Sequence, residues 1–374
     1  MRFRKTVVLL LFLVLVISTF EPLLSEGPAT STPDVWVVVQ TNDPVDVVRV
    51  MLKDLENVQG LVLIFAIEDN TTKAIGNVIN QMDGWLAAFP EYKIDVQITY
   101  RFSDKYGYLL PEENGANWVL NSTACFSDLF MADYYRDLAW EFKQYPNVVL
   151  FTGYNEPYNH FANKYLAQEV IKKEYTTFKS FCPWLNFSTE FGMAVDFWQG
   201  FLGFPENITV ENDMVPFWRD YSDYVGFNLW VDRVNPLSGY DEESQARFDN
   251  ALAVASEWSA KLNKPIHINE FPCWYENRVK TIVQKYMRAP NICAFYQLCF
   301  PAVGAVNDGG AYGIYNINPT NNTFTRNPLC YNVYNSAFND PPPSTFAPVY
   351  ASLMFGVVTA ACIILLIAKK KNGK

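Results

Sequence analysis

Between positions 35 and 338 the hydrophobic period of the sequence switches back and forth eight times. Short runs rich in β-branched and aromatic residues alternate with stretches whose apolar side chains recur at helical spacing, as Leu129, Met131, Tyr135, Leu138 and Phe142 do. Strands are expected at 35–39, 60–66, 94–100, 148–152, 185–190, 224–229, 266–269 and 292–298. Helices are expected at 44–58, 74–89, 128–145, 161–181, 215–221, 242–262, 278–288 and 328–338, with 108–121 as a long loop. Strands separated by helices must run parallel, because each connection crosses back over the sheet. Eight such units predict an α/β protein built as one (β/α)8 TIM barrel over 32–339. A doubly wound sheet is the competitor. Gln40-Thr41-Asn42-Asp43 follows the first strand, where that fold needs a glycine-rich phosphate loop.

The fourth and seventh strands each run into a carboxylate. The stretch VVLFTGYNEP ends in Asn155-Glu156-Pro157, and PIHINEFP carries Glu270. The C-terminal ends of barrel strands share one rim, so Glu156 and Glu270 are expected to face each other across the mouth. Two carboxyls about 5–5.5 Å apart are what a retaining glycosidase requires. Their repulsion would raise the pKa of one, which becomes the acid. A plainer reading of Asn-Glu-Pro is a helix-entry turn with Pro157 at the first helical position.

Three stretches resemble the clan A glycoside hydrolases: FTGYNEP their strand-4 motif, KPIHINEFP their strand-7 motif, and SDYVGFNLW from Ser222 the segment between. Family 5, the cellulase-like group, is the nearest by likeness. The resemblance implies Glu156 as acid/base, Glu270 as nucleophile and Asn155 as partner of the sugar 2-hydroxyl. Substrate contacts are expected from Asn228, Trp230, Trp274, Tyr296 and Arg101, which lie at or just after strand ends, and two carboxyls with a water call for no cofactor. The chain departs from the pattern in three places. Trp230 stands two residues after Asn228, where many clan members place a tyrosine on the nucleophile. Tyr100-Arg101 ends the third strand without the usual histidine, and Arg101 either orients Glu270 or pairs with an exposed acid. Tyr296 stands in the eighth strand where a tryptophan is customary. Tyr154 and Tyr158 add to the aromatics expected near the rim as sugar platforms.

Only two histidines exist, which excludes a three-histidine zinc site and makes a serine triad hard to build. His267 lies an odd number of residues from Glu270, so alternation turns it away from the barrel axis as a structural residue. His160 is expected on a loop surface.

The ends read as targeting segments. Arg2, Arg4 and Lys5 precede an apolar run, giving a signal sequence over 1–26. Residues 349–368 carry no charge and precede Lys369, Lys370 and Lys371, which predicts a membrane-spanning helix with a cytoplasmic tail over 369–374. A proline-rich spacer, 340–348, separates it from the barrel. Six cysteines outside that span allow up to three disulfides in an oxidising compartment, and five Asn-x-Ser/Thr sites suit a glycosylated exterior. A formal charge of −10 with 29 basic residues argues against a nucleic-acid partner. The expected protein is a cell-surface β-glycosidase acting on a glucan- or mannan-like polysaccharide or oligosaccharide. The alternatives are a transglycosylase or an inactive carbohydrate-binding coat protein on the same barrel.

Overall fold

The computed structural model describes residues 34–56, 58–102, 107–112, 115–192, 208–229, 242–272, 292–296, 299–301, 313–318 and 323–339. Eight strands close into a barrel: β1 (Asp34–Gln40), β2 (Val58–Ile67), β3 (Lys93–Tyr100), β4 (Val148–Asn155), β5 (Asn186–Gly192), β6 (Val225–Asn228), β7 (Ile266–Pro272) and β8 (Ile292–Tyr296). Each pairs parallel with the next, and β8 returns to β1 from Asp34 opposite Ile292 to Val37 opposite Phe295. That closure excludes the doubly wound sheet. The helices are α1 (Val45–Asp54), α2 (Thr72–Ala88), α3 (Asp128–Phe142), α4 (Lys164–Phe181), α5 (Val215–Asp220), α6 (Glu242–Leu262) and α7 (Pro328–Asn339). The helix expected at 278–288 lies outside the described residues.

Strand β1 shows how the sequence divides its apolar residues. Val35, Val37 and Val39 join the outer core shared with the helices, while Trp36 and Val38 pack inside with Val62, Ile64 and Leu150. The period of two puts successive side chains on opposite faces, and a barrel buries both. Helix starts follow local chemistry. Thr71 caps α2 by accepting from the Ala74 N–H, Ser127 caps α3 through Phe130, and Asn163 caps α4 through Tyr165 and Leu166. The short α5 follows a single wide turn, Val210–Met214, and carries Pro216 in its first turn.

Inside the barrel, Gly60 lies opposite Trp36, and a Cβ at Gly60 would sit 2.3 Å from the indole. Gly60→Ala is therefore expected to destabilise the fold by about 1–3 kcal/mol. Gly84→Ala, on α2 with nothing within 4 Å of its Cβ, is expected to stabilise by roughly 0.5–1 kcal/mol. Denaturant midpoints of the two variants check this opposition of sign.

Several expectations change. Residues 108–121 are not a plain loop: Gly107–Glu112 and Gly115–Leu120 form an antiparallel hairpin. After β8 the chain adds a small sheet from Cys299–Pro301, Tyr315–Asn318 and Thr323–Arg326. Cys125 and Cys182 are buried free thiols, so the full set of three disulfides does not form. Burial pushes their thiols up to about 11 and about 12. Among the described residues no helix is long and apolar enough to cross a membrane. The segments 1–26, 340–348, 349–368 and 369–374 lie outside them.

Candidate active site

The site begins with two β-bulges. In β4 the pairing with β5 runs to Thr152 opposite Ser188 and resumes at Asn155 opposite Glu190, so β4 carries one extra residue. In β7 the pairing with β6 passes from Ile268 opposite Phe227 to Glu270 opposite Asn228, again with one extra residue. Each bulge re-aims the strand end, bringing Asn155 and Glu270 together at the C-terminal rim.

Asn155 Nδ2 donates to Glu270 Oε1 at 3.0 Å. Asn228 Nδ2 uses both its hydrogens, one to Asn155 Oδ1 at 2.8 Å and one to Glu156 Oε1 at 3.1 Å. Two amides thus bridge the carboxylates of β4 and β7 by three hydrogen bonds. Each amide's orientation is fixed by the other, since an oxygen must meet a nitrogen at every step. Asn228 is fully buried at the end of β6, and its Oδ1 makes no hydrogen bond among the described residues. The Leu229 N–H donates to the Glu270 carbonyl at 2.9 Å, which ties β6 to the β7 bulge.

Glu156 has φ 47° and ψ 54°, a left-handed conformation uncommon for a side chain without local compensation. Its N–H donates to the Glu190 carbonyl at 3.1 Å, and Pro157 opens a short 3-10 turn, Pro157–Asn159. Asn-Glu-Pro is therefore both the turn of the plainer reading and the holder of a mouth carboxylate.

Below the bridge the barrel is polar. His267 Nδ1 lies 2.7 Å from Glu190 Oε1, and Nε2 lies 3.7 Å from Asp95 Oδ2, all three side chains fully buried. The ring nitrogens are out of line for hydrogen bonds, so the attraction is between charges. Ser188 donates its hydroxyl to Glu190, Thr152 donates to Asp95 at 2.6 Å, and Asn269 donates to Gln97 at 3.0 Å. His267 thus faces the axis, against the outward placement expected from alternation. The β7 bulge falls between His267 and Glu270 and breaks the odd–even count.

Burial alone would lower the His267 pKa, but Glu190 in contact and Asp95 beyond outweigh it and hold the imidazole above its usual range. Burial, opposed in part by His267 and Thr152, pushes Asp95 up to about 6. A carboxyl whose folded pKa exceeds its unfolded one stabilises at low pH, and that contribution is lost as pH rises through the folded value. Asp95→Asn is expected to flatten the fall in stability between roughly pH 4 and pH 6. Thermal melts of both proteins across that window measure it.

Of the remaining expected residues, Arg101 stands apart from the bridge. Arg101 pairs with exposed Glu68 at 3.3 Å rather than with Glu270. It lines a cleft of about 380 Å³ with Asn42, Glu68, Lys73, Asn77 and Gln81, and none of Asn155, Glu156, Asn228 or Glu270 lines that cleft. Tyr296 ends β8, while Trp230 and Trp274 lie outside the described residues. Tyr154 and Tyr158 are buried rather than open platforms, Tyr154 stacked on Tyr100 and Tyr158 on Phe191. His160 is half-buried against the Tyr154 ring, and burial lowers its pKa to about 4. Sequence reading passed over the interior set Asp95, Gln97, Ser188 and Glu190. The polar residues at every second position of Ile94-Asp95-Val96-Gln97 and Phe187-Ser188-Thr189-Glu190 were the available signal.

No sequence-family model and no curated protein matches the chain. Solved structures do. GH5_18 from Streptomyces cattleya in complex with GlcNAc is similar with a TM-score of 0.59 at 12% identity, over 84% of this chain and 83% of that one. A variant of GH5_18 from Bifidobacterium longum subsp. longum, in complex with Manβ1-4GlcNAc, is similar at 0.53 with 14% identity, over 81% and 78%. A beta-glucuronidase of Faecalibacterium prausnitzii gives 0.52 at 11% identity, over 82% of this chain and 49% of that one. At such identities the likeness is one of fold: the chain shares the (β/α)8 barrel of these glycoside hydrolases.

Proposed function

We propose that this chain is a retaining β-glycosidase with Glu270 as nucleophile and Glu156 as acid/base. The observation that carries the reading is the bridge Glu270–Asn155–Asn228–Glu156, which gathers two carboxylates from β4 and β7 on one rim. In the first step Glu270 attacks the anomeric carbon while the bond to the leaving oxygen breaks and Glu156 gives that oxygen its proton. In the second, Glu156 takes a proton from water as the water attacks the same carbon and frees Glu270. Asn155 keeps one amide hydrogen beyond its bond to Glu270, which suits the sugar 2-hydroxyl. Two carboxyls and a water suffice for this chemistry, so the reading calls for no cofactor.

The proposed substrates are β-linked glucan- or mannan-like chains. Structural neighbours hold GlcNAc or Manβ1-4GlcNAc, which puts a β-mannoside on N-acetylglucosamine in the same class. The 1–26 and 349–368 segments support an exported protein tethered at the cell surface, and Asn121 and Asn186 are exposed for glycans. The test is a hydrolysis panel of β-glucans, β-mannans and Manβ1-4GlcNAc with proton NMR of the first product formed. A β-anomer appearing first supports the reading. No hydrolysis, or an α-anomer first, overturns it.

A further inference from the structure

Glu174 lies on α4, outside the barrel, with 1% of its surface exposed. Both its oxygens are engaged. Oε1 accepts from the Tyr100 hydroxyl at 2.9 Å and the Tyr135 hydroxyl at 2.8 Å, and Oε2 accepts from the Tyr154 backbone N–H at 2.7 Å. A carboxylate survives burial only where donors replace its water, and two phenols and a peptide do so here.

The peptide bond is the informative one. The β4 bulge leaves a backbone N–H that the ladder to β5 does not take up, and Glu174 accepts it from the outer layer. Gly153 gives the carboxylate its access, because a Cβ there would lie 2.8 Å from Glu174 Oε2 and 2.5 Å from the Phe187 ring. Thr152 points inward to Asp95. Strict alternation would then turn Asn155 outward, and only the extra residue returns it to the mouth beside Glu156.

We propose that Glu174 is a positioning residue that pins the β4 bulge from behind and so sets the aim of Glu156 at the leaving group. It touches no sugar. The assignment rests on the glycosidase reading, in which Glu156 supplies the proton to the leaving group.

The test uses the full chain and two aryl β-glycosides of the sugar that the panel selects, one with a 2,4-dinitrophenyl and one with a phenyl leaving group. Dinitrophenolate departs without a proton, whereas phenolate needs one. Glu174→Leu is expected to lose roughly 10²-fold in kcat/KM on the phenyl substrate, the scale of a 1 Å misplacement. On the dinitrophenyl substrate it loses only a few-fold in kcat/KM, because that ratio reports the first step, which there needs no proton. Glu174→Gln is expected within a few-fold of the parent on both, since its carbonyl still accepts from Tyr154 while its amide donates to a tyrosine oxygen. Equal losses on the two substrates, or none, overturn the proposal. Should Glu174→Leu fail to fold, the double variant Tyr100→Phe, Tyr135→Phe removes both bonds to Oε1. It must then show a loss confined to the phenyl substrate, about tenfold, and an equal loss on both overturns the proposal. Glu156→Gln, run beside them, separates the two ideas: parent-like activity there defeats the glycosidase reading itself, whatever Glu174 does.

Discussion

Glu270→Gln is expected to lower kcat/KM by about 10⁴-fold or more, roughly 5.5 kcal/mol of transition-state stabilisation, without unfolding the protein. The size follows from what the side chain is asked to do. Glutamine is nearly isosteric, and its carbonyl oxygen can still accept from Asn155 Nδ2, so the bridge to Asn228 and Glu156 stays closed. What vanishes is the negative charge that the proposed mechanism uses to form the bond to the anomeric carbon. The bonds that hold β7 in place, such as Leu229 N–H to the Glu270 carbonyl, involve the backbone and are untouched. Thermal melting should therefore move little while turnover disappears. Intact-mass spectrometry gives a second readout: the parent exposed to a slow dinitrophenyl glycoside gains one sugar mass, and Glu270→Gln gains none. A variant that retains more than about a tenth of parental activity would show that Glu270 is not the nucleophile.

The parts of the fold that the sequence disclosed are those with many residues voting together. Each barrel strand is a run of several β-prone side chains, and α6, Glu242–Leu262, matches the expected 242–262 because twenty-one residues share one helical period. The carboxylates were legible for a simpler reason, since each ends a strand in a fold that collects strand ends on one rim. A bulge has no such redundancy. It is a single extra residue, and only Gly153 hints at the one in β4. Every inference that counted across a bulge was exposed to error, and the placement of His267 failed in that way. Arg101 left two readings open, and the structure takes the plainer one: its partner Glu68 lies on the loop after the neighbouring strand, a pairing set by three-dimensional neighbours rather than by spacing. Tyr154 and Tyr158 were read as platforms because they flank Glu156, yet the Tyr154 ring packs among Tyr100, Phe126 and Phe161. Aromatic rings there are core, as most aromatics are.

The same geometry makes a graded prediction at the other carboxylate. Glu156→Gln is expected to lower kcat/KM by about 10²–10⁴-fold on substrates with poor leaving groups, the usual worth of a positioned proton donor, and by far less on the dinitrophenyl glycoside. Glutamine can keep the bond from Asn228 Nδ2 through its carbonyl oxygen, and its backbone still donates to Glu190 from the left-handed turn. Positioning therefore survives and only the transferable proton is lost. With the activated substrate the first step proceeds, but the second now lacks its base, so the sugar stays on Glu270 and kcat falls while KM falls with it. A burst of dinitrophenolate equal to the enzyme concentration is the expected trace. The alkaline limb of the kcat/KM profile should also vanish on the phenyl substrate, because that limb in the parent reports loss of the acid's proton. Were the losses on the two substrates the same, Glu156 would be acting on substrate binding, and the proton donor would have to be sought elsewhere on the rim.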